Sequence, residues 1–338
     1  MQAAIYGFEG FELTDSERTF FREINPLGYI LFKRNCENPH QLRALTDSLR
    51  ELSGREQLPI LIDQEGGRVA RLTAPQWEVI PPAATFDELA RKTALSTAER
   101  AVYLQARVIA RQLADVGITV NCAPLADVPA PHSHDIIGDR AFGKTPQQVS
   151  KLARQQSEGL MAGGVLPVLK HIPGHGRATA DSHEDLPVVE ATLEALEVSD
   201  FVPFKKLADI PLGMTAHILY TALDKKNIAT QSPEIISFIR DKIGFDGLLM
   251  SDDLSMKAMQ GSYRERAELT LKAGCDIVLH CNGKMDEMMA VAEGTSLMTE
   301  KAHRRMDAAW QLLENKSLHH DAVEMVDIRD ELAEILAA

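Results

Sequence analysis

Between Lys170 and Pro187 the chain reads KHIPGHGRATADSHEDLP, and here residue types and spacing point most directly to chemistry. An apolar run at 165–169 precedes it and reads as a buried strand, so Lys170 and His171 are the first polar residues at a strand end. A loop rich in Gly, Ala and Thr follows and closes on Asp181-Ser182-His183. An Asp and a His two apart can hydrogen-bond, the carboxylate orienting the imidazole and favouring its charged form, which is how a general acid/base is built. A basic strand end, a glycine-hinged loop and an Asp-His pair together predict an active site on a mobile segment, 174–184. Gly174 and Gly176 permit unusual φ, and Ala-Thr-Ala offers little to anchor the segment. Asp252, one residue beyond the apolar run GFDGLLM with Ser251 between, is the matching carboxylate. At a strand end it can act as a nucleophile or stabilise a developing cation. The plainer role, capping the following helix, also fits; with Asp253 adjacent, one residue is available for each role.

These groups need a frame that brings distant segments together. Short apolar, β-branched runs lie at 3–8, 28–32, 59–62, 119–123, 166–169, 212–215, 247–250 and 276–279. Amphipathic patterns lie between them at 16–24, 41–53, 98–116, 146–162, 191–207, 232–242 and 264–273. Strands alternating with helices give a parallel sheet, and eight such units in one chain predict a closed α/β (β/α)8 TIM-type barrel. Further helical stretches at 295–313 and 322–337 are expected to pack outside it, and no linker or repeat divides 1–338, so a single domain is expected. The strand ends carry Asp63-Gln64-Glu65-Gly66-Gly67-Arg68, Lys170-His171, Ala216-His217, Ser251-Asp252-Asp253 and His280-Cys281-Asn282. Barrel active sites are built at that face.

Other features narrow the chemistry. A net charge of −13 argues against a nucleic-acid or anionic-membrane partner. No stretch has the ~20 apolar residues of a membrane span, and the first residues lack the basic and apolar regions of a signal peptide. Cys36, Cys122, Cys275 and Cys281 lack CxxC spacing and read as thiols of a reducing compartment. His171, His175, His183 and His217 show no helical HxxxH and no paired His/Cys spacing, so neither a metal nor any other cofactor is expected. Arg71 and Arg140 follow the third and fourth strands; each is either a fork for substrate hydroxyls or half of an ordinary ion pair, Arg140 with Asp139 or Glu65. Gly66-Gly67-Arg68 lacks the Lys-Ser/Thr of a phosphate loop. Trp77 is suited either to stacking on a sugar or to plugging a barrel end.

Six segments taken together resemble the single-domain bacterial β-N-acetylhexosaminidases of glycoside hydrolase family 3. They are IDQEGGRVARL (62–72), NCAPLADV (121–128), IGDRAFG (137–143), KHIPGHGRATADSHEDLP (170–187), MTAHILY (214–220) and GFDGLLMSDDLSM (244–256). The usual Phe after Lys-His is Ile172 here. The resemblance implies a retaining exo-hydrolase that removes terminal β-linked N-acetylglucosamine through a covalent glycosyl-enzyme. By position it implies Asp252 as nucleophile and His183 as acid/base with Asp181 as its partner. Asp63, Arg71, Arg140, Lys170 and His171 would be the sugar-binding residues. The implied natural substrate is a muropeptide fragment, N-acetylglucosaminyl-1,6-anhydro-N-acetylmuramic acid, met in the cytoplasm during peptidoglycan recycling. Three other readings compete: a metal-dependent hydrolase using the His-rich loop, a non-catalytic carbohydrate-binding barrel, and a β-glucosidase of the same fold. The last usually adds a second domain with a carboxylate acid, for which little chain remains after residue 300.

Overall fold

A computed structural model of the protein describes residues 1–131, 135–178, 180, 182, 185–317 and 322–337. In chain order the elements are β1 (Gln2–Tyr6), α1 (Asp15–Ile24), β2 (Pro26–Leu31), α2 (Pro39–Ser53), β3 (Ile60–Ile62), α3 (Ala84–Lys92), α4 (Leu95–Asp115), β4 (Val120–Asn121), α5 (Pro146–Ala162) and β5 (Leu166–Ile172). They continue with β6 (Val188–Val189), α6 (Leu193–Val198), α7 (Phe201–Lys206), β7 (Leu212–Thr215), β8 (Leu219–Tyr220), α8 (Pro233–Phe238), β9 (Leu248–Asp253), α9 (Tyr263–Ala273), β10 (Ile277–His280), α10 (Met285–Gly294), α11 (Glu300–Lys316) and α12 (Ala322–Ala337). Eight strands close into a parallel barrel in the order β1-β2-β3-β4-β5-β7-β9-β10, with β10 returning to β1. β6 and β8 form a separate two-stranded parallel pair.

Strand alternation sorts the side chains. Ile5, Ile30, Leu61, Val120, Val168, Met214, Met250 and Leu279 fill the barrel, while Tyr6, Ile62, Leu169, Leu249 and Val278 join the clusters under the helices. Both faces of the barrel strands are buried, which is why these strands read as unbroken apolar runs. Helix α11 closes the N-terminal end of the barrel, its Met306, Ala309, Trp310 and Leu313 packing with the interior residues. Helix α12 lies outside against α4, where it buries Met325 and Ile328 and pairs Glu324 with Arg107 at 2.8 Å and Glu331 with Arg100 at 2.6 Å. Among the described residues no helix is long and apolar enough to cross a membrane.

Several local expectations shift. The helix expected over 191–207 is two, α6 and α7, broken at Ser199 and Asp200. That over 232–242 is the short α8 followed by a wider turn, Ile239–Ile243, which stops at Gly244 with φ +84°. The stretch 295–313 is an irregular lead-in, then α11 capped by the Thr299 hydroxyl. Helices α3 and α10 stand where no helix was expected; each is short and buries only two side chains, Phe86 and Leu89 in α3 and Met288 and Val291 in α10. The change with most bearing on chemistry is that β5 runs through Lys170 and His171, and β9 through Asp252 and Asp253. These reactive groups stand on strands, not on the loops after them.

Candidate active site

The C-terminal mouth is assembled first by β3 and β4. Buried Gln64 accepts the backbone N–H groups of Arg71 and Leu72 at 2.8 and 3.0 Å and donates to the Leu72 carbonyl, folding 64–72 into a closed loop. Asn121 on β4 bonds both backbone groups of Gln64. The turn between them needs glycine. Gly66 and Gly67 have φ of +114° and +55°, and a Cβ on either would collide with Pro81 or Pro82. The loop therefore returns Arg71 beside Asp63 and projects Glu65 toward β5.

The result is a ladder of alternating charge. Arg71 Nη2 donates to Asp63 Oδ2 at 3.0 Å, Lys170 Nζ bridges Asp63 Oδ1 at 3.0 Å and Glu65 Oε1 at 2.6 Å, and Arg140 grips Glu65 with two hydrogen bonds of 2.8 and 2.9 Å. Burial pushes the carboxyls of Asp63 and Glu65 up, but the neighbouring cations more than offset it and hold both well below the usual carboxylate range. Burial likewise pushes Lys170 down, and Asp63 and Glu65 overcome it, so the amine stays charged. Arg71 also lies over the Phe32 ring at 5.3 Å, and its buried Nε has no hydrogen-bond partner among the described residues.

Asp252 faces this ladder. Its Oδ1 accepts the N–H of Asp253 at 2.8 Å, and its Oδ2 lies 4.0 Å from His171 Nε2. Asp253 caps no helix, since α9 begins at Tyr263 under Ser262; its carboxylate binds the backbone N–H groups of Ser255 at 2.9 Å and Cys281 at 3.0 Å, tying β9 to the exit of β10. Asp63, Arg71, Arg140, Lys170, His171 and Asp252 all line one cavity of about 190 Å³ at the mouth of the barrel. A larger, shallower groove of about 800 Å³ at the opposite end is lined by Pro211, Asp246, Lys301 and Arg305.

The loop after β5 departs from expectation in its first half. Tyr220 donates its hydroxyl to the Gly174 carbonyl, Asp127 accepts the His175 N–H at 2.6 Å, and Ala130 donates to the Gly176 carbonyl at 3.0 Å. Arg177 is pinned by buried Asp200 at 2.7 Å. Residues 174–178 are thus built into the barrel mouth and are not a free arm. Gly174 does have positive φ, +144°, but Gly176 is required for a different reason: a Cβ there would lie 1.9 Å from the Val128 carbonyl oxygen. Asp181 and His183, the expected acid/base pair, lie outside the described residues. Ser182 between them is described and buried; its hydroxyl is 3.5 Å from His175 Nε2 and its carbonyl accepts the Ala258 N–H at 3.2 Å.

The sequence profile of the glycosyl hydrolase family 3 N-terminal domain matches residues 12–313. The beta-hexosaminidase of Chromobacterium violaceum is 40% identical over 292 residues, covering 83% of this chain and 79% of that protein. That of Neisseria gonorrhoeae is 35% identical over 322 residues, covering 94% and 86%. The chain belongs to glycoside hydrolase family 3. Its fold superposes on the crystal structure of NagZ from Neisseria gonorrhoeae in complex with N-trifluoroacetyl-D-glucosamine with a TM-score of 0.87 at 32% identity, covering 99% and 97% of the two chains. The protein is accordingly a glycoside hydrolase, with the family 3 (β/α)8 barrel.

Within this family 3 barrel some residues singled out by sequence have other work. His217 is fully engaged behind the mouth, Nδ1 with Thr230 Oγ1 at 2.7 Å and Nε2 with the Asp253 carbonyl at 3.0 Å. His280 points away from the cavity and packs edge-on against Tyr6 and Tyr263, leaving Cys281 to line the mouth. Trp77 packs against the hydrophobic cluster and is not among the lining residues, so it neither stacks at the site nor plugs the barrel. Arg140 does form the ion pair with Glu65 that sequence allowed, but both side chains are about nine-tenths buried; it is Arg68 that pairs with Asp139. Among the described residues no group of His, Cys, Asp and Glu converges as metal ligands would. Glu65 and Asp127 went unremarked as site residues. The clue to Glu65 was its place two residues after Asp63 at a strand end, the spacing that returns a side chain to the same face.

Proposed function

We propose that the protein is a retaining exo-β-N-acetylglucosaminidase acting through a covalent intermediate on Asp252. The observation that carries this is the Asp252 carboxylate sharing with the charged ladder a cavity of about 190 Å³, smaller than the ~300–1,000 Å³ of drug-sized ligand sites. Such a space suits one terminal sugar and not a run of them. The ladder offers charged donors and acceptors already fixed in place, the surface a hydroxyl-rich ring requires. The relatives named beta-hexosaminidase and the N-trifluoroacetyl-D-glucosamine held by NagZ of Neisseria gonorrhoeae support an N-acetylated sugar.

In the first step Asp252 attacks the anomeric carbon while His183, as imidazolium, gives its proton to the departing glycosidic oxygen. In the second, neutral His183 takes a proton from water, the water oxygen attacks the anomeric carbon, and the Asp252 carboxylate leaves. Asp181 orients His183 in both. An unperturbed imidazole value of about 6.5 suits either role near neutral pH. A neutral base also keeps a second anion away from the ester and its carboxylate leaving group. Ser182, between Asp181 and His183 in sequence, is buried and lines the cavity. The substrate we infer is a muropeptide fragment ending in N-acetylglucosamine, hydrolysed in the cytoplasm during peptidoglycan recycling.

Turnover of a chromogenic β-N-acetylglucosaminide beside the matching β-glucoside tests the sugar. The N-acetylated substrate should be strongly preferred, and equal or faster hydrolysis of the glucoside would refute this reading.

A further inference from the structure

Behind the sugar-facing residues lies a carboxylate that faces no sugar. Asp127 follows β4 and is fully buried. Its Oδ2 is 2.8 Å from His171 Nδ1, and its Oδ1 faces two backbone donors, the N–H of His175 at 2.6 Å and that of His171 at 3.4 Å. The opposite ring nitrogen, His171 Nε2, points to Asp252 Oδ2 at 4.0 Å. We propose that Asp127 is a positioning residue, holding the His171 ring with a proton on Nδ1 so that Nε2 is the atom offered to Asp252 and to the sugar.

The argument is one of donors and acceptors. An ionised carboxylate can only accept, so the ring atom facing it must carry the proton, and the other ring atom is fixed toward the cavity. Burial pushes the Asp127 carboxyl up, but the His171 ring, together with the His175 ring and the His175 backbone N–H, more than offsets it, so the group stays ionised. The same carboxylate fixes the His175 backbone, and the His175 ring meets Ser182 on the catalytic loop at 3.5 Å. One buried anion thus sets both the histidine beside the nucleophile and the stem of the loop. The consequence for turnover rests on the reading of Asp252 as nucleophile; the tautomer does not.

Asp127→Asn makes the idea testable because the amide can settle in only one way. Two N–H groups face the Oδ1 position, so the amide oxygen must stay there and its NH2 must take the place of Oδ2. That NH2 donates to Nδ1, which must then accept, and the ring proton moves to Nε2. Long-range 1H–15N correlation of the histidine rings, with the His171 signals identified by their loss in His171→Ala, reads this directly. The intact enzyme should show Nδ1 protonated, and Asp127→Asn should show Nδ1 bare. A bare Nδ1 in the intact enzyme would overturn the proposal, and this measurement needs neither a variant at 127 nor activity. In kinetics, Asp127→Asn should lower kcat/KM by about 10- to 100-fold, the usual cost of losing an orienting partner. In a His171→Ala background the same change should cost less than about 3-fold, because a residue that acts through another loses its effect once that partner is gone. Equal losses in both backgrounds would show a merely structural role and defeat the proposal.

Discussion

Lys170 keeps its charge at a site where burial alone would strip it, because Asp63 and Glu65 hold it from two sides. Each of the three depends on the others, so removing the central cation leaves two buried anions short of a partner. Lys170→Met should therefore cost about 3–5 kcal/mol, as breaking a buried pair does, read as a loss in denaturant unfolding. An unchanged midpoint would show that water already screens the ladder. The pH dependence has a definite sign. Asp63 and Glu65 are depressed in the folded state, Glu65 to about 2, so their contribution is present above the unfolded values of about 4 and is lost as pH falls through the folded ones. Between about pH 4.5 and pH 2 the melting temperature should fall, and Glu65→Gln should make that fall shallower. An equally steep fall in Glu65→Gln would remove Glu65 from the linkage. On the proposed mechanism, Asp252→Ala should lower kcat on the order of 10⁴-fold or more, the scale on which enzymes lose a nucleophile, with the fold retained by circular dichroism.

At the scale of elements, β5 and the loop that leaves it divide the labour. The strand is paired on both sides within the barrel, and residues 174–178 are tied to its mouth by bonds with Tyr220, Asp127, Ala130 and Asp200. Gly176→Ala should destabilise the protein by roughly 1–3 kcal/mol, the cost of overpacking, since its Cβ would meet the Val128 carbonyl. A neutral effect by thermal unfolding would mean that the stem yields. His183→Ala should impair substrates with poor leaving groups most and activated aryl glycosides least, because only the former need a proton in the first step. Equal, small losses on both would rule His183 out as the acid. Sequence made the barrel strands plain because burial on both faces writes them as apolar runs, and it marked Asp63, Lys170 and Asp252 because polar groups interrupt those runs. It could not show that β5 and β9 continue through the reactive groups, since strand ends are set by pairing with neighbours distant in sequence. Asp127 was hidden for a related reason: NCAPLADV reads as a strand and its exit, and only folding brings that carboxylate against His171. Helices α3 and α10 were missed because each buries only two side chains and leaves a faint periodic signal.

The whole molecule is a barrel closed at one end by α11 and open at the other onto the charged cavity. Among the described residues His171 Nδ1 pairs with Asp127, His175 Nε2 lies 3.5 Å from Ser182, and both nitrogens of His217, behind the mouth, pair with Thr230 and Asp253. Dialysis against a strong chelator should leave turnover unchanged, and a loss restored by zinc would favour metal-assisted hydrolysis. The central claim is that hydrolysis passes through an ester on Asp252. A fluorinated N-acetylglucosaminide that forms this ester quickly and releases it slowly, followed by peptide mass spectrometry, tests it most directly. The account predicts one sugar added per chain, on Asp252, with an ordinary substrate hydrolysed to the β-anomer first. A label on Asp253 or elsewhere, or initial release of the α-anomer, would contradict it.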